Sequence, residues 1–271
     1  MVNEFRSGKR YNLVFARKMD RDEYLSRIGL DRSDIRADAE GLGRLELAHL
    51  LHVPFENLDI HWKRPIVLDT ERFYSKIVIE KRGGFCYELI GLFNELLREI
   101  GFRSRLVSAR PFNVERGFGP EFDHAAIVAK IGETEYLVDV GFGNFSAEPL
   151  LIVPNIEQSD REGVFRISPD VDDSFVVEKM FGVEWIPEYL FSKKGRNLDE
   201  FAEMCNFQQY SADSHFVKGK ICSQMTEDGR KTLTDKKFIV TSKSTKKEKT
   251  VVSEEQFNAI LEQEFGIRPI T

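Results

Sequence analysis

At Gly101 the spacing of apolar residues changes, and few folds accommodate such a change. Before it they recur at helical intervals: Tyr24, Leu25 and Ile28 ahead of Gly29, and Leu42, Leu45, Leu47, Leu50 and Leu51 ahead of Pro54. Phe73 and Ile77 continue the pattern in a segment that Thr70 can cap. The strongest run is 86–99, with Leu89, Leu92, Phe93, Leu96, Leu97 and Ile100 at i, i+3, i+4 spacing and Gly101 placed to end it. Beyond Gly101 the segments 103–110, 124–131 and 135–140 are short and rich in Val, Ile, Ala and Leu, which predicts strands. Further strands are expected at 163–168, 173–178, 215–222 and 237–242, and a Ser-capped helix at 253–265. Helices gathered first and strands afterwards point to an α+β fold, not a doubly wound sheet.

A chain of 271 residues with 41% hydrophobic content and 22 Phe can bury one large core or two to three modest ones. Its net charge of −6 argues against nucleic acid or an anionic membrane as partner. Residues 217–249 run against that trend, with ten Lys/Arg and four Asp/Glu. A solvated surface is the simpler reading of that stretch; contact with cofactor phosphates is the sharper one. Cys86, Cys205 and Cys222 are widely spaced and form no CxxC pair, which predicts reduced thiols in a cytoplasmic protein with no disulfide or zinc site. Residues 1–15 lack the apolar stretch and cleavage site of a leader, and no apolar run approaches the ~18 residues of a membrane helix.

Chemistry concentrates in three places. In RGGFCYELIGLF (82–93), two glycines precede Cys86, which sits in the first turn of the strongest helix. Unpaired N–H groups and the positive end of the helix dipole favour thiolate there. A lone Cys is more often a small buried hydrophobe, and this setting leaves the two readings evenly matched. Cys205 and Cys222 have no such setting and read as structural.

His124 and Asp139 are related by a hairpin. Gly132-Glu133 suits a type II′ turn between HAAIVAKI and TEYLVDVG. In that register Lys130 faces Glu135, Ile127 faces Val138 and Ala126 faces Asp139. His124 then shares a sheet face with Asp139 as its diagonal neighbour, within ~7–8 Å. An Asp inside the apolar strand LVDVG is costly without a partner. The pair can be structural; with a helix-start Cys upstream it also makes nucleophile, base and orienting acid for covalent acyl transfer. His49 and His52 have no third metal ligand at useful spacing, so no metal is expected.

Together these motifs resemble the arylamine N-acetyltransferases. RGGFCYELIGLF is similar to that family's nucleophile motif, FDHAAIVAKI to the His segment and YLVDVGFG to the Asp segment; VPFENLDI (53–60) and SADSHF (211–216) also match. The resemblance implies a helical bundle over 1–101 bearing the Cys, a β-barrel-like unit over 102–200 bearing His and Asp, and an α/β lid over 201–271, with a cysteine-protease-like Cys-His-Asp arrangement. It implies ping-pong acetyl transfer from acetyl-CoA to the nitrogen of an aromatic amine or hydrazine, extending to N-hydroxyarylamines. Cys86, His124 and Asp139 would be catalytic, Phe55 and Phe142 would line the acceptor pocket, and Pro120, Glu121, Ser211 and Ser214 would lie near CoA. The chain departs from the pattern at Ile90, where Asn is usual, and at Ala212, where Pro is common. A transglutaminase-like or other thiol hydrolase uses the same order of residues, but papain-like enzymes separate Cys and His by some ~130 residues. A non-catalytic binding protein on the same fold is a third reading, though a Cys-His-Asp set has no obvious use in binding.

Overall fold

Aspartates start three of the early helices. The computed structural model describes residues 17–242 and 245–270, so the segment read above for a leader and part of the basic stretch lie outside it. Asp20 opens α1 (Arg21–Arg27) and Asp38 opens α2 (Ala39–His52), each accepting first-turn N–H groups. After β1 (Phe55–Glu56) and α3 (Leu58–His61) comes α4 (Thr70–Tyr74). Asp69, not Thr70, caps α4: its carboxylate accepts from both Glu71 N and Arg72 N, and Thr70 is the first helical residue. α4 widens into a π-helical segment over Ser75–Ile79 before the chain reaches α5 (Cys86–Ile100). Eleven of the fifteen residues of α5 are buried, so it forms the axis of the helical part. Gly101 ends it in the left-handed conformation.

The strands β2 (Arg103–Asn113), β3 (Gly117–Phe118), β4 (His124–Ile131), β5 (Thr134–Val138) and β6 (Leu150–Leu151) follow, then β7 (Gln158–Asp160), β8 (Gly163–Pro169), β9 (Ser174–Phe181) and β10 (Glu184–Ser192). They make one antiparallel sheet in the order β6-β5-β4-β2-β10-β9-β8-β7, with β3 on β2. The sheet curls back on itself: just past β6, Asn155 N donates to Ile167 O of β8 at 2.8 Å, giving a nearly closed, barrel-like shape. The β4–β5 hairpin has the expected register, Lys130 to Glu135 and Ile127 to Val138, and Gly132 takes φ +59 in its turn. β5 ends at Val138, so Asp139 lies just past the strand and not within it.

α6 (Ala202–Tyr210), α7 (His215–Lys218), β11 (Ile221–Thr226), β12 (Gly229–Thr234), β13 (Lys237–Ser242), β14 (Thr245–Thr250) and α8 (Glu254–Phe265) complete the chain. The strand expected over 215–222 begins only at Ile221, because Ser214 Oγ accepts Phe216 N and starts a helical turn. β1 joins this second sheet beside β11, in the order β1-β11-β12-β13-β14. One core surrounds α5, a second fills the curled sheet and a third lies beneath α8. The architecture is mixed, with helices and sheets segregated. Among the described residues no helix is long and apolar enough to cross a membrane.

Candidate active site

Cys86 is the first residue of α5, and a buried ionic network fixes that end of the helix. Glu88 accepts Phe85 N at 2.8 Å and pairs with Lys76 Nζ at 2.6 Å; Lys76 reaches Asp59 at 2.9 Å, and Arg82 clamps Asp59 and Glu56 at 2.7 and 2.5 Å. Two cations thus meet three carboxylates with the geometry that makes burial tolerable. The Gly83 residue before Cys86 is there for close approach: a Cβ on it would stand 2.1 Å from Pro54 O.

His124 and Asp139 meet as the hairpin register requires. His124 Nε2 lies 2.8 Å from Asp139 Oδ2, while Asp139 Oδ1 accepts Gly141 N at 2.9 Å and Phe142 N at 3.0 Å. The carboxylate is therefore anchored by two main-chain donors, and His124 Nδ1 is the nitrogen left for another partner. The turn after Asp139 also packs on the start of α5: a Cβ at Gly141 would stand 3.0 Å from Ile90 Cγ1 and 3.2 Å from Cys86 Cα. That contact, which the sequence could not supply, brings the histidine side of the barrel to the cysteine.

Cys86 and His124 line one cavity of about 470 Å³ with Phe55, Phe142, Phe216, Asp123, His215 and Arg230 among its walls. Phe142 packs edge-on to His124 at 5.0 Å between ring centroids, and Phe216 to Phe85 at 4.6 Å. Phe55 and Phe142 both stand in the wall of this cavity. Burial pushes the Cys86 thiol up, and the charges of Asp123 and Asp139 push the same way, against the lowering effect of the Tyr87 N–H. The expected thiolate preference at a helix start therefore meets a stronger desolvation penalty. Burial raises Asp123 and lowers His215 in the same cavity.

Pro120, Glu121, Ser211 and Ser214, expected near CoA, are not among the residues lining this cavity. Pro120 and Glu121 are exposed outside the cavity wall, with Glu121 ion-paired to Arg196. Ser211 follows α6, and its Oγ accepts Asp213 N. Ser214 is buried and its hydroxyl is committed, donating to Gln208 Oε1 at 2.6 Å and accepting Phe216 N at 3.2 Å. Its side chain positions α7, which carries His215 and Phe216 into the cavity. His49 is buried against Tyr24 Oη at 2.9 Å, and among the described residues no cluster of His, Cys, Asp or Glu could hold a metal ion.

Sequence reasoning missed Glu46, Asp123, His215, Arg230 and Tyr189, whose ring centroid lies 5.8 Å from that of His124 and 5.0 Å from that of Phe142. Glu46 was legible as an acid in the apolar run LELAHLL; it accepts Asp139 N at 2.8 Å. The other four carry no local signal, because their meaning depends on what stands opposite.

A family model described as N-acetyltransferase matches residues 38–269. The arylamine N-acetyltransferase, pineal gland isozyme NAT-10, of Gallus gallus is 31% identical, over 90% of this chain and 96% of that protein. A solved structure of the M. smegmatis arylamine N-acetyltransferase superposes with a TM-score of 0.84 at 29% identity, covering 92% of this chain and 93% of that one. The Mycobacterium marinum arylamine N-acetyltransferase in complex with CoA gives a TM-score of 0.83 at 27% identity, again covering 92% of this chain and 93% of that one. By its family match, its relatives and its shape, this chain belongs to the arylamine N-acetyltransferase family.

Proposed function

We propose that the chain moves an acetyl group from acetyl-CoA to the nitrogen of an aromatic amine or hydrazine, in two half-reactions through a thioester on Cys86. The observation that carries this reading is the shared cavity: a thiol at a helix start and an imidazole braced by a carboxylate open on one space lined by aromatic side chains. In the first half-reaction His124 takes the thiol proton, the sulfur attacks the donor's carbonyl carbon, and CoA departs as its thiol with that proton. In the second, the amine nitrogen attacks the acetyl-cysteine carbonyl, His124 takes the nitrogen's proton, and the Cys86 thiol is regenerated. Asp139 holds the imidazole tautomer and stabilises the imidazolium. Phe55 and Phe142 flank the acceptor ring, and an N-hydroxyarylamine can be acetylated on oxygen by the same steps.

Support for CoA as carrier comes from the relative solved in complex with CoA. We place the donor's arm at the rim formed by Pro120, Glu121 and Ser211, with α7 behind it held by Ser214. The three-part division at 101 and 200 also belongs to this reading, residues 201–271 acting as a lid whose sheet borrows β1. Three unpaired cysteines suit a cytoplasmic setting.

Weighing the intact protein after mixing with acetyl-CoA alone tests the reading. One acetyl group is expected on Cys86, discharged as N-acetyl product when an arylamine is added, and neither event in Cys86→Ala. Absence of the adduct in the unaltered protein refutes the mechanism. Adduct decay that is equally fast with and without amine identifies a thiol hydrolase instead.

A further inference from the structure

α2 places a buried acid behind the catalytic pair. Glu46 is 1% exposed, its Oε1 accepts Asp139 N at 2.8 Å, and its buried Oε2 has no hydrogen-bond partner among the described residues. Asp139 is thereby held twice. Glu46 holds its main chain, while Gly141 N and Phe142 N hold its carboxylate and leave Oδ2 facing His124. The same helix also reaches the cysteine side: His49, one turn on from Glu46, packs its ring on Phe93 of α5 at 5.1 Å between centroids. A helix seated on α5 and bonded to Asp139 sets where that acid stands relative to the helix that carries the thiol.

The groups around Glu46 decide which acid carries the charge. Asp139 follows β5, Glu148 precedes β6 and Asp160 ends β7, and the charge of each acts on Glu46. Tyr189 of β10 and His49 of α2 add none, because burial keeps the phenol protonated and pushes the imidazole down to about 3. Two N–H groups and an imidazole meet the Asp139 carboxylate, whereas one N–H meets that of Glu46. The negative charge therefore belongs to Asp139 and the proton to Glu46. A second negative charge at this depth would also hold on His124 the proton that must leave with CoA. We propose that Glu46 is a positioning residue for acetyl transfer: as a neutral acid it pins the main chain of Asp139, so that the carboxylate meets His124 and carries the charge behind the imidazole. This rests on the acetyl-transfer reading above for the reaction it serves.

Two variants of the full chain, each with two readouts, test this. Glu46→Leu has similar bulk and no acceptor for Asp139 N; Glu46→Gln keeps the acceptor and cannot ionise. With acetyl-CoA and an arylamine, Glu46→Leu should lose about tenfold in kcat at an unchanged KM, since Glu46 lies outside the cavity wall. Without donor, the pH at which iodoacetamide alkylates Cys86 at half its limiting rate should move up in Glu46→Leu, because His124 loses its aligned carboxylate. Glu46→Gln should restore most of both losses. A Glu46→Leu protein that melts earlier but keeps its kcat and alkylation profile has lost only structure, and overturns the proposal. Glu46→Gln as impaired as Glu46→Leu means that the position needs a negative charge, and overturns it too. Should Glu46→Leu not fold, the comparison of Glu46→Gln with the unaltered protein decides alone. If the unaltered protein acetylates no amine, the acetyl-transfer reading fails, and the alkylation profiles still decide whether Glu46 positions the pair.

Discussion

Glu46 is an acid on the buried face of α2 whose free oxygen, Oε2, meets no partner. Burial pushes its carboxyl well above the usual carboxylate range; the Asp139 N–H opposes that, while the charges of Asp139, Asp160 and Glu148 add to it. A raised value in the folded state means full stability below the ordinary value near 4.5 and a growing penalty as pH rises above it. Glu46→Gln keeps an acceptor for Asp139 N and has no charge to bury. Its melting temperature should therefore exceed that of the unaltered protein at pH 7 to 8 and match it near pH 4. A gain independent of pH would refute the account. Glu46→Ala should instead lose about 1–3 kcal/mol, because a buried N–H is left unpaired. Burial also pushes all three thiols up, so access governs their reactivity. Cys86 alone of the three lines the cavity. Iodoacetamide should label it before Cys205 and Cys222, and acetyl-CoA should slow that labelling; equal rates in the native protein contradict the arrangement. Cys86, His124 and Asp139 were legible because a helix start and a hairpin register are local patterns. Glu46 acts on a residue 93 positions away, and no local pattern carries that.

At the scale of elements, the site depends on how the turn after β5 sits on α5. Gly141 lies against Ile90 and the Cys86 main chain with no room for a methyl. Gly141→Ala should push the Asp139–Phe142 turn outward by a few tenths of an ångström or more and cut kcat by about tenfold, since a 1 Å misplacement can cost about 100-fold. Ile90→Ala in the same chain removes the Cγ1 atom that the new methyl meets and should recover part of the loss, and an unaltered kcat in the single variant would refute the packing argument. Ile90, where the family pattern has Asn, is thus a packing partner of the turn. Elements with strong periodicity, such as α5 and the β4–β5 hairpin, were legible in the sequence. β14, with the sequence TKKEKT, was not, because an exposed edge strand needs no apolar alternation. α7 was read as strand because a single serine side chain decides its first turn.

At the scale of the whole molecule, Asn57 ties the two ends of the chain together. Its Nδ2 donates to Phe216 O and Gly219 O, both at 2.9 Å, and its Oδ1 accepts Ile221 N at 2.8 Å. Asn57→Ala removes three hydrogen bonds of about 1 kcal/mol each and frees α7 and β11 from the helical part. A lower melting temperature and a higher KM for the acceptor are expected; a changed melting point with unchanged KM would mean that α7 is held by other contacts. Neither the pairing of β1 with β11 nor this tie was legible, since both join residues more than 150 positions apart. They also set an order of events during synthesis. A chain still on the ribosome, with its first 200 residues emerged, already holds Cys86, His124 and Asp139. It lacks α7, β11 and β12, and therefore the wall that closes around an amine. The last quarter of the chain gives the thiol its enclosure, so the cell makes an open cysteine first and a selective one only when translation is nearly done.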